Sequence, residues 1–146
     1  MPLKLAGGLF RETFSTLREC GAGQDECVVY WAGPVDRPGR VDRVIHPVHL
    51  GRPGYYEIAA EWLNEIWFTL NSERIEIRAQ VHTHRGLAFH SQLDDDFPFL
   101  QTAGFLSLVL PRFALGPVGL DGAYLVELTA TGGWHELDPL SAIEGV

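Results

Sequence analysis

Positive charge, cysteine and long apolar runs are all scarce in this chain, and each shortage narrows what it can be. Lys and Arg number 11 against 19 Asp and Glu, a net charge of −8 over 146 residues. A phosphate-backbone binder needs a basic face, so no nucleic-acid partner is expected. The most apolar run, FLSLVLPRFAL from Phe105, is broken by Pro111 and Arg112. It falls well short of the ~20 residues of a spanning helix, so no membrane partner is expected either. The start, MPLKLAGGLFRE, has neither a long apolar region nor a convincing cleavage site and does not read as a signal peptide. Two cysteines, Cys20 and Cys27, are too few for a disulfide framework, and their spacing is not that of a zinc knuckle. The expectation is a reduced, cytoplasmic protein in which Cys27 is a small buried hydrophobe.

What is present suits one core. Hydrophobic residues make up 46% of the chain, without repeats or low-complexity tracts, and residues 1–146 read as a single domain. Leu9 to Arg18 predicts a helix with Phe10, Phe14 and Leu17 on one face, stopped by Gly21-Ala22-Gly23. ECVVYWAG reads as a buried strand, PVDRPGR as a loop and VDRVIHPVHL as a second strand. YEIAAEWLNEIWFTLNSE is the clearest helix, with a wide apolar face of Ile58, Trp62, Ile66 and Leu70 flanked by Ala59, Leu63 and Trp67. The Trp62/Trp67 pair reads as core. RIEIRAQVHTH then alternates, with Ile75, Ile77, Ala79 and Val81 on one side and Gln80, His82 and His84 on the polar side. Strands at Phe105–Leu110 and Ala123–Thr129, and a hairpin at Gly132-Gly133 into WHEL, complete a mixed α/β order.

Chemistry concentrates in QVHTHRGLAFHSQLDDDF, Gln80 to Phe97. In an extended chain His82 and His84 project to the same side and can converge on one ion. Zinc takes nitrogen and oxygen ligands in a tetrahedron, and a catalytic zinc leaves one place for water. The Asp94-Asp95-Asp96 run follows at a distance that lets the chain turn back with a third ligand. Hydrolysis also needs a general base and a donor for the developing oxyanion. Ser91 lies between the histidines and aspartates and suits the donor. Glu26 suits the base, because its neighbours Cys27, Val28 and Val29 are apolar and such a setting raises a carboxyl pKa.

Glu26, His82-x-His84 and Ser91-x-x-Asp94 together resemble the JAMM motif of the Jab/MPN zinc metalloproteases, over roughly Leu9 to Leu128. HTHRGLAFHSQLDDDF is similar to bacterial members that read H-T-H-P-G-x-A-F-H-S-x-x-D. The resemblance implies a single compact Jab/MPN-like (cytidine-deaminase-like) domain, a central mixed β-sheet flanked by helices. It implies that His82, His84 and Asp94 bind Zn2+, that Glu26 is the general base for the attacking water, and that Ser91 stabilises the tetrahedral intermediate. The reaction implied is hydrolysis of a peptide or isopeptide bond after the C-terminal tail of a ubiquitin-like protein. The partners implied are that protein or its conjugates, with ubiquitin-like activating and conjugating enzymes encoded nearby, in a bacterial conjugation or antiphage defence system. Arg85 stands where the family usually has proline, which loosens the loop without removing a ligand. Counting eleven positions from His84, as in many eukaryotic relatives, reaches Asp95 instead of Asp94.

Blander readings stand beside these. Ser91-x-x-Asp94 is also a capping-box pattern, and Asp95 and Asp96 suit solvent or a helix N-terminus. Glu12 and Glu19 rival Glu26 but lie on the polar side of the first helix. His90 is read as a neighbour that orients a ligand, and His46, His49 and His135 as packing or surface residues. The competing functions are an inactive Jab/MPN scaffold that binds partners and a zinc amidase or peptidase on a substrate unrelated to ubiquitin. A nucleoside deaminase is excluded, because no P-C-x-x-C follows the histidines.

Overall fold

A computed structural model describes residues 2–51, 55–91, 94 and 99–146. In chain order its elements are β1 (Leu3–Leu5), α1 (Leu9–Gly21), β2 (Val28–Pro34), β3 (Arg40–Val41), β4 (Arg43–Ile45), β5 (His49–Gly51), β6 (Tyr56–Ile58), α2 (Ala60–Glu73), β7 (Ile75–Thr83), β8 (Leu106–Leu110), a 3-10 turn at Arg112–Ala114, β9 (Tyr124–Leu128), β10 (Trp134–Leu137), α3 (Pro139–Ala142) and β11 (Ile143–Glu144). The expected mixed α/β architecture forms around a sheet of order β10-β9-β8-β7-β2-β4, in which only β7 and β8 run parallel. A small parallel sheet, β11-β1-β3, and the β5-β6 pair lie outside it.

The two long helices cover opposite faces. α1 buries Leu9, Phe10, Thr13, Phe14 and Leu17, an i, i+3, i+4 stripe. The stripe belongs to one core with Val29, Trp31, Ala79, Val81 and Leu108. Trp31 donates its indole N–H to Thr13 Oγ1 at 2.9 Å, so this buried ring leaves no orphaned donor. The helix ends where the Gly21-Ala22-Gly23 signal predicts, with Ala22 left-handed at φ 50°. α2 belongs to the second core, with Val28, Tyr30, Ala32, Ile75 and Ile77.

Three expectations are corrected. The second helix begins at Ala60, because Tyr56–Ile58 pairs as a strand with β5. Its apolar band is wider than the strip of core it covers: only Ile66 and Leu70 are buried, while Trp67 is 47% and Phe68 83% exposed. Trp67 therefore is not core but stacks on Phe99 at 5.6 Å between centroids. VDRVIHPVHL is not one strand. Its pieces join three partners: β3 pairs with β1, β4 with β2, and β5 with β6. Pro47, which has no N–H to give to a ladder, stands at the second break.

The third correction positions the site. Along β2 and β7 the register shifts, Trp31 facing Ala79 but Ala32 facing Ile77. Arg78 is the extra residue of a β-bulge, and sidedness inverts across it. Ala79 and Val81 lie on the α1 face, whereas Ile75 and Ile77 lie on the α2 face. Opposite residues of an antiparallel pair share a face. Gln80 and His82, facing Tyr30 and Val28, thus belong to the α2 side, where they are 2% and 0% exposed. The "polar" side of this strand is a second buried layer.

Candidate metal centre

The end of β7 carries the two imidazoles. His82 is held between Val28 of β2 and Val109 of β8, and the Tyr56 ring packs 5.5 Å from its own. His84 follows the strand, its N–H donating to Leu110 O at 2.9 Å and its carbonyl accepting from Phe113 N–H at 2.8 Å. That second bond comes from a turn in which Arg112, Phe113 and Ala114 all take left-handed φ of 52°, 53° and 58°. Such residues cost roughly 1–2 kcal/mol each, so packing must over-determine them. Arg18 does so from α1, its guanidinium donating to the carbonyls of Ala114 and Gly116.

Asp94 closes the group. Its Oδ2 lies 3.3 Å from Nε2 of His82 and 3.3 Å from Nε2 of His84. Ser91 fixes it reciprocally: Ser91 N–H donates to Asp94 Oδ2 at 2.9 Å, and Asp94 N–H donates to Ser91 Oγ at 3.1 Å. The capping pattern and the ligand pattern are thus one arrangement. Asp95 and Asp96 lie outside the described residues. One atom from each of His82, His84 and Asp94 lies within 4.8 Å of the others, a set that could hold a metal ion.

Glu26 stands beside this set, 6% exposed, with Oε1 3.6 Å from His84 Nε2. It precedes β2 and is positioned by its neighbour: Cys27 N–H donates to Thr83 Oγ1 at 3.0 Å, and Thr83 N–H to Cys27 O at 3.1 Å. Across it, β5 comes so close that a Cβ at Gly51 would sit 2.5 Å from Glu26 O. Burial, and then the Asp94 charge, push the Glu26 carboxyl up to about 8. For Asp94 burial acts upward, but hydrogen bonds from His82, His84 and Ser91 outweigh it and hold the carboxyl well below its ordinary value. Burial lowers His82 and keeps it neutral, the form in which a histidine binds metal. Its Nδ1 has no hydrogen-bond partner among the described residues.

The other candidates separate cleanly. Glu12, Glu19, Arg85 and His135 are exposed. His90 Nε2 lies 3.2 Å from Ser107 Oγ, and its ring is 6.3 Å from that of His82. Ser107 Oγ accepts from Gln80 Nε2 at 2.9 Å, so His90 joins the buried Gln80–Ser107 pair. A groove of about 710 Å3 lined by Trp67, Leu70, Ile75, Ile77 and Phe105 contains none of the site residues.

The cysteine expectation is overturned. Cys20 and Cys27 are joined by a disulfide, their Cα atoms 6.0 Å apart. The left-handed Ala22 and Gly23 reverse the chain after α1 and bring the two together. His46 and His49 gather at the same sulfurs. The spacing His46-x-x-His49 was the signal available in the sequence, but nothing there showed that the β4–β5 segment returns to the end of α1.

No protein-family model matches the chain. It is 35% identical over 80 residues to a Sinorhizobium fredii (strain NBRC 101917 / NGR234) protein named probable metalloprotease y4jG, a match spanning 55% of this chain and 49% of that protein. The match therefore spans about half the length of that relative. The solution structure of protein DSY2949 from Desulfitobacterium hafniense superposes with a TM-score of 0.64 at 16% identity, over 93% of this chain and 90% of that one. AF2198, a JAB1/MPN domain protein from Archaeoglobus fulgidus, superposes with a TM-score of 0.54 at 13% identity, over 94% of each chain. The fold is that of a JAB1/MPN domain. With the metalloprotease-named relative, it supports assignment to the JAMM (Jab/MPN) family. In this chain His82, His84 and Asp94 converge with Glu26 beside them. No helix among the described residues is long and apolar enough to cross a membrane.

Proposed function

We propose that this chain is a zinc-dependent JAMM-type metalloprotease that hydrolyses the peptide or isopeptide bond after the tail of a ubiquitin-like protein. The observation that carries it is the convergence of His82, His84 and Asp94 with a buried carboxyl 3.6 Å from His84. The donor set fits zinc. Zinc–nitrogen and zinc–oxygen bonds of ~2.0–2.2 Å in a tetrahedron put neighbouring ligand atoms about 3.4 Å apart. Both Nε2···Oδ2 separations are 3.3 Å. Two imidazoles and one carboxylate leave the fourth place open, as catalytic sites do. The name of the Sinorhizobium fredii relative supports the same reading.

Zinc held by these three residues supplies Lewis acidity, which makes water nucleophilic near neutral pH. Glu26 takes the proton of the attacking water on its carboxylate and then delivers it to the leaving amine. Burial raises its pKa in the metal-free site, and a nearby divalent cation would draw that value down and favour the carboxylate, the form a base needs. Ser91 Oγ, while accepting from Asp94 N–H, can still turn its own O–H toward the developing oxyanion. An extended substrate tail would be recognised by adding to a strand edge near the site.

The resemblance also carries the setting: a bacterial ubiquitin-like conjugation or antiphage defence system, in the cytoplasm, with activating and conjugating enzymes as partners. The test is cleavage of a ubiquitin-like protein fused through its tail to a reporter, with zinc measured on the same samples. Wild type should cleave, and Glu26→Gln should bind zinc without cleaving. Cleavage by Glu26→Gln at the wild-type rate would remove the base, and with it the mechanism.

A further inference from the structure

We propose that Cys20, Cys27, His46 and His49 form a second, closed zinc site when the Cys20–Cys27 disulfide is reduced. The four come from the end of α1, the approach to β2 and the β4–β5 segment, and share no residue with the His82 centre. One donor atom from each already lies within 4.8 Å of the others. Cys20 Sγ is 3.3 Å from His49 Nε2, and Cys27 Sγ is 3.5 Å from His46 Nε2. Zinc–sulfur bonds of ~2.3 Å and zinc–nitrogen bonds of ~2.0–2.1 Å in a tetrahedron give a sulfur-to-nitrogen edge of about 3.5 Å. Both pairs therefore stand at the separation that a shared ion would impose.

The protonation of His49 points the same way. Its Nδ1 is 2.9 Å from Pro47 O, and a carbonyl only accepts, so the proton is on Nδ1. Nε2 then presents a lone pair to Cys20 Sγ. A disulfide sulfur has no proton to give, so Cys20 supplies no donor to that lone pair. A metal ion satisfies it. The backbone carbonyl on the far nitrogen is also the usual outer partner of a ligating histidine. Two thiolates and two imidazoles select zinc among common divalent ions, and four protein ligands leave no open place, so the site is structural. It would tie the β4–β5 segment to Cys27, the residue after Glu26, and so brace the position of the base.

The chemistry balances. A phosphine reductant gives two electrons to the S–S bond and ends as its oxide, water supplying the oxygen and the two thiol protons. Zinc then displaces those protons as two thiolates bind.

The test uses the whole chain, with its disulfide intact or after phosphine reduction, loaded with zinc or cobalt(II). Reduced wild type should hold one more zinc per chain than the oxidised protein. With cobalt it should show a thiolate-to-metal charge-transfer band, which the sulfur-free His82 centre cannot give. His46→Ala/His49→Ala should lose both the band and the extra equivalent, and His82→Ala/His84→Ala should keep the band. Absence of the band from reduced wild type, or its persistence in His46→Ala/His49→Ala, would overturn the proposal. The wild-type comparison decides even where a variant fails to fold.

Discussion

Glu26 gains its chemistry from where it is put. The same carboxyl in solvent would be ionised at neutral pH, but here burial and Asp94 raise it to about 8. A folded-state pKa above the unfolded one stabilises the fold below the unfolded value, and that contribution is lost as pH rises through the folded one. In metal-free protein the Glu26 contribution therefore falls as pH climbs from the ordinary 4.5 toward about 8, while the lowered His82 and His46 contribute a rise as pH approaches 6.5. The depressed Asp94 contributes oppositely but only at more acidic pH, as it approaches its own unfolded value of 3.8. Glu26→Gln cannot titrate and keeps both histidines, so the melting temperature of the wild type minus that of the variant should fall across that window; parallel profiles for both proteins would contradict the buried-carboxyl account. Ser91 offers a second residue-scale prediction. Ser91→Ala removes the acceptor for Asp94 N–H. Loss of such an outer partner should weaken zinc binding ~10–100-fold, measured by competition with a chelator of known affinity, while unchanged affinity would show that Asp94 needs no such support.

At the scale of elements, legibility followed periodicity and failed where the backbone departs from it. α1 was plain because Phe10, Phe14 and Leu17 recur on one face and glycines end it. β2 was plain because VVYWAGP is apolar throughout and every residue but the last is buried. The bulge at Arg78 was not, since alternation carries no sign of an inserted residue. Arg78 holds it by donating to Arg40 O at 2.8 Å, Pro34 O at 2.5 Å and Arg37 O at 3.0 Å. Gly33 lies against the same carbonyl: an added Cβ would stand 1.8 Å from Arg40 O, a backbone atom that cannot step aside cheaply. Gly33→Ala should accordingly destabilise the fold by more than ~2 kcal/mol, at the upper end of ordinary substitutions, read from chemical denaturation. A loss under half of that would mean that β3 shifts freely against β2.

On the scale of the whole molecule, the ligands of the proposed zinc come from β7 and from the chain around Asp94, with Glu26 reached through β2. Glu26 is far in sequence from the three ligands, so the complete site exists only in the folded chain. The motif was legible residue by residue, because His82-x-His84 and Ser91-x-x-Asp94 are local. The Cys20, Cys27, His46 and His49 group was not, because only the tertiary return of the β4–β5 segment assembles it. An ion that binds the folded state alone stabilises it by ~2.7 kcal/mol when present at a hundred times its Kd. For a domain of this size each kcal/mol moves the melting temperature by a few degrees, so chelation should lower it by roughly 5–10 °C. The measurement belongs under non-reducing conditions, where the disulfide keeps Cys20 and Cys27 from binding metal and only the His82 centre responds. His82→Ala/His84→Ala, having no ion to lose, should melt at one temperature with or without chelator. A wild type that releases its zinc to the chelator and still melts unchanged would mean that the unfolded chain holds the ion as tightly as the folded one, and the folded site would lose its claim to the metal.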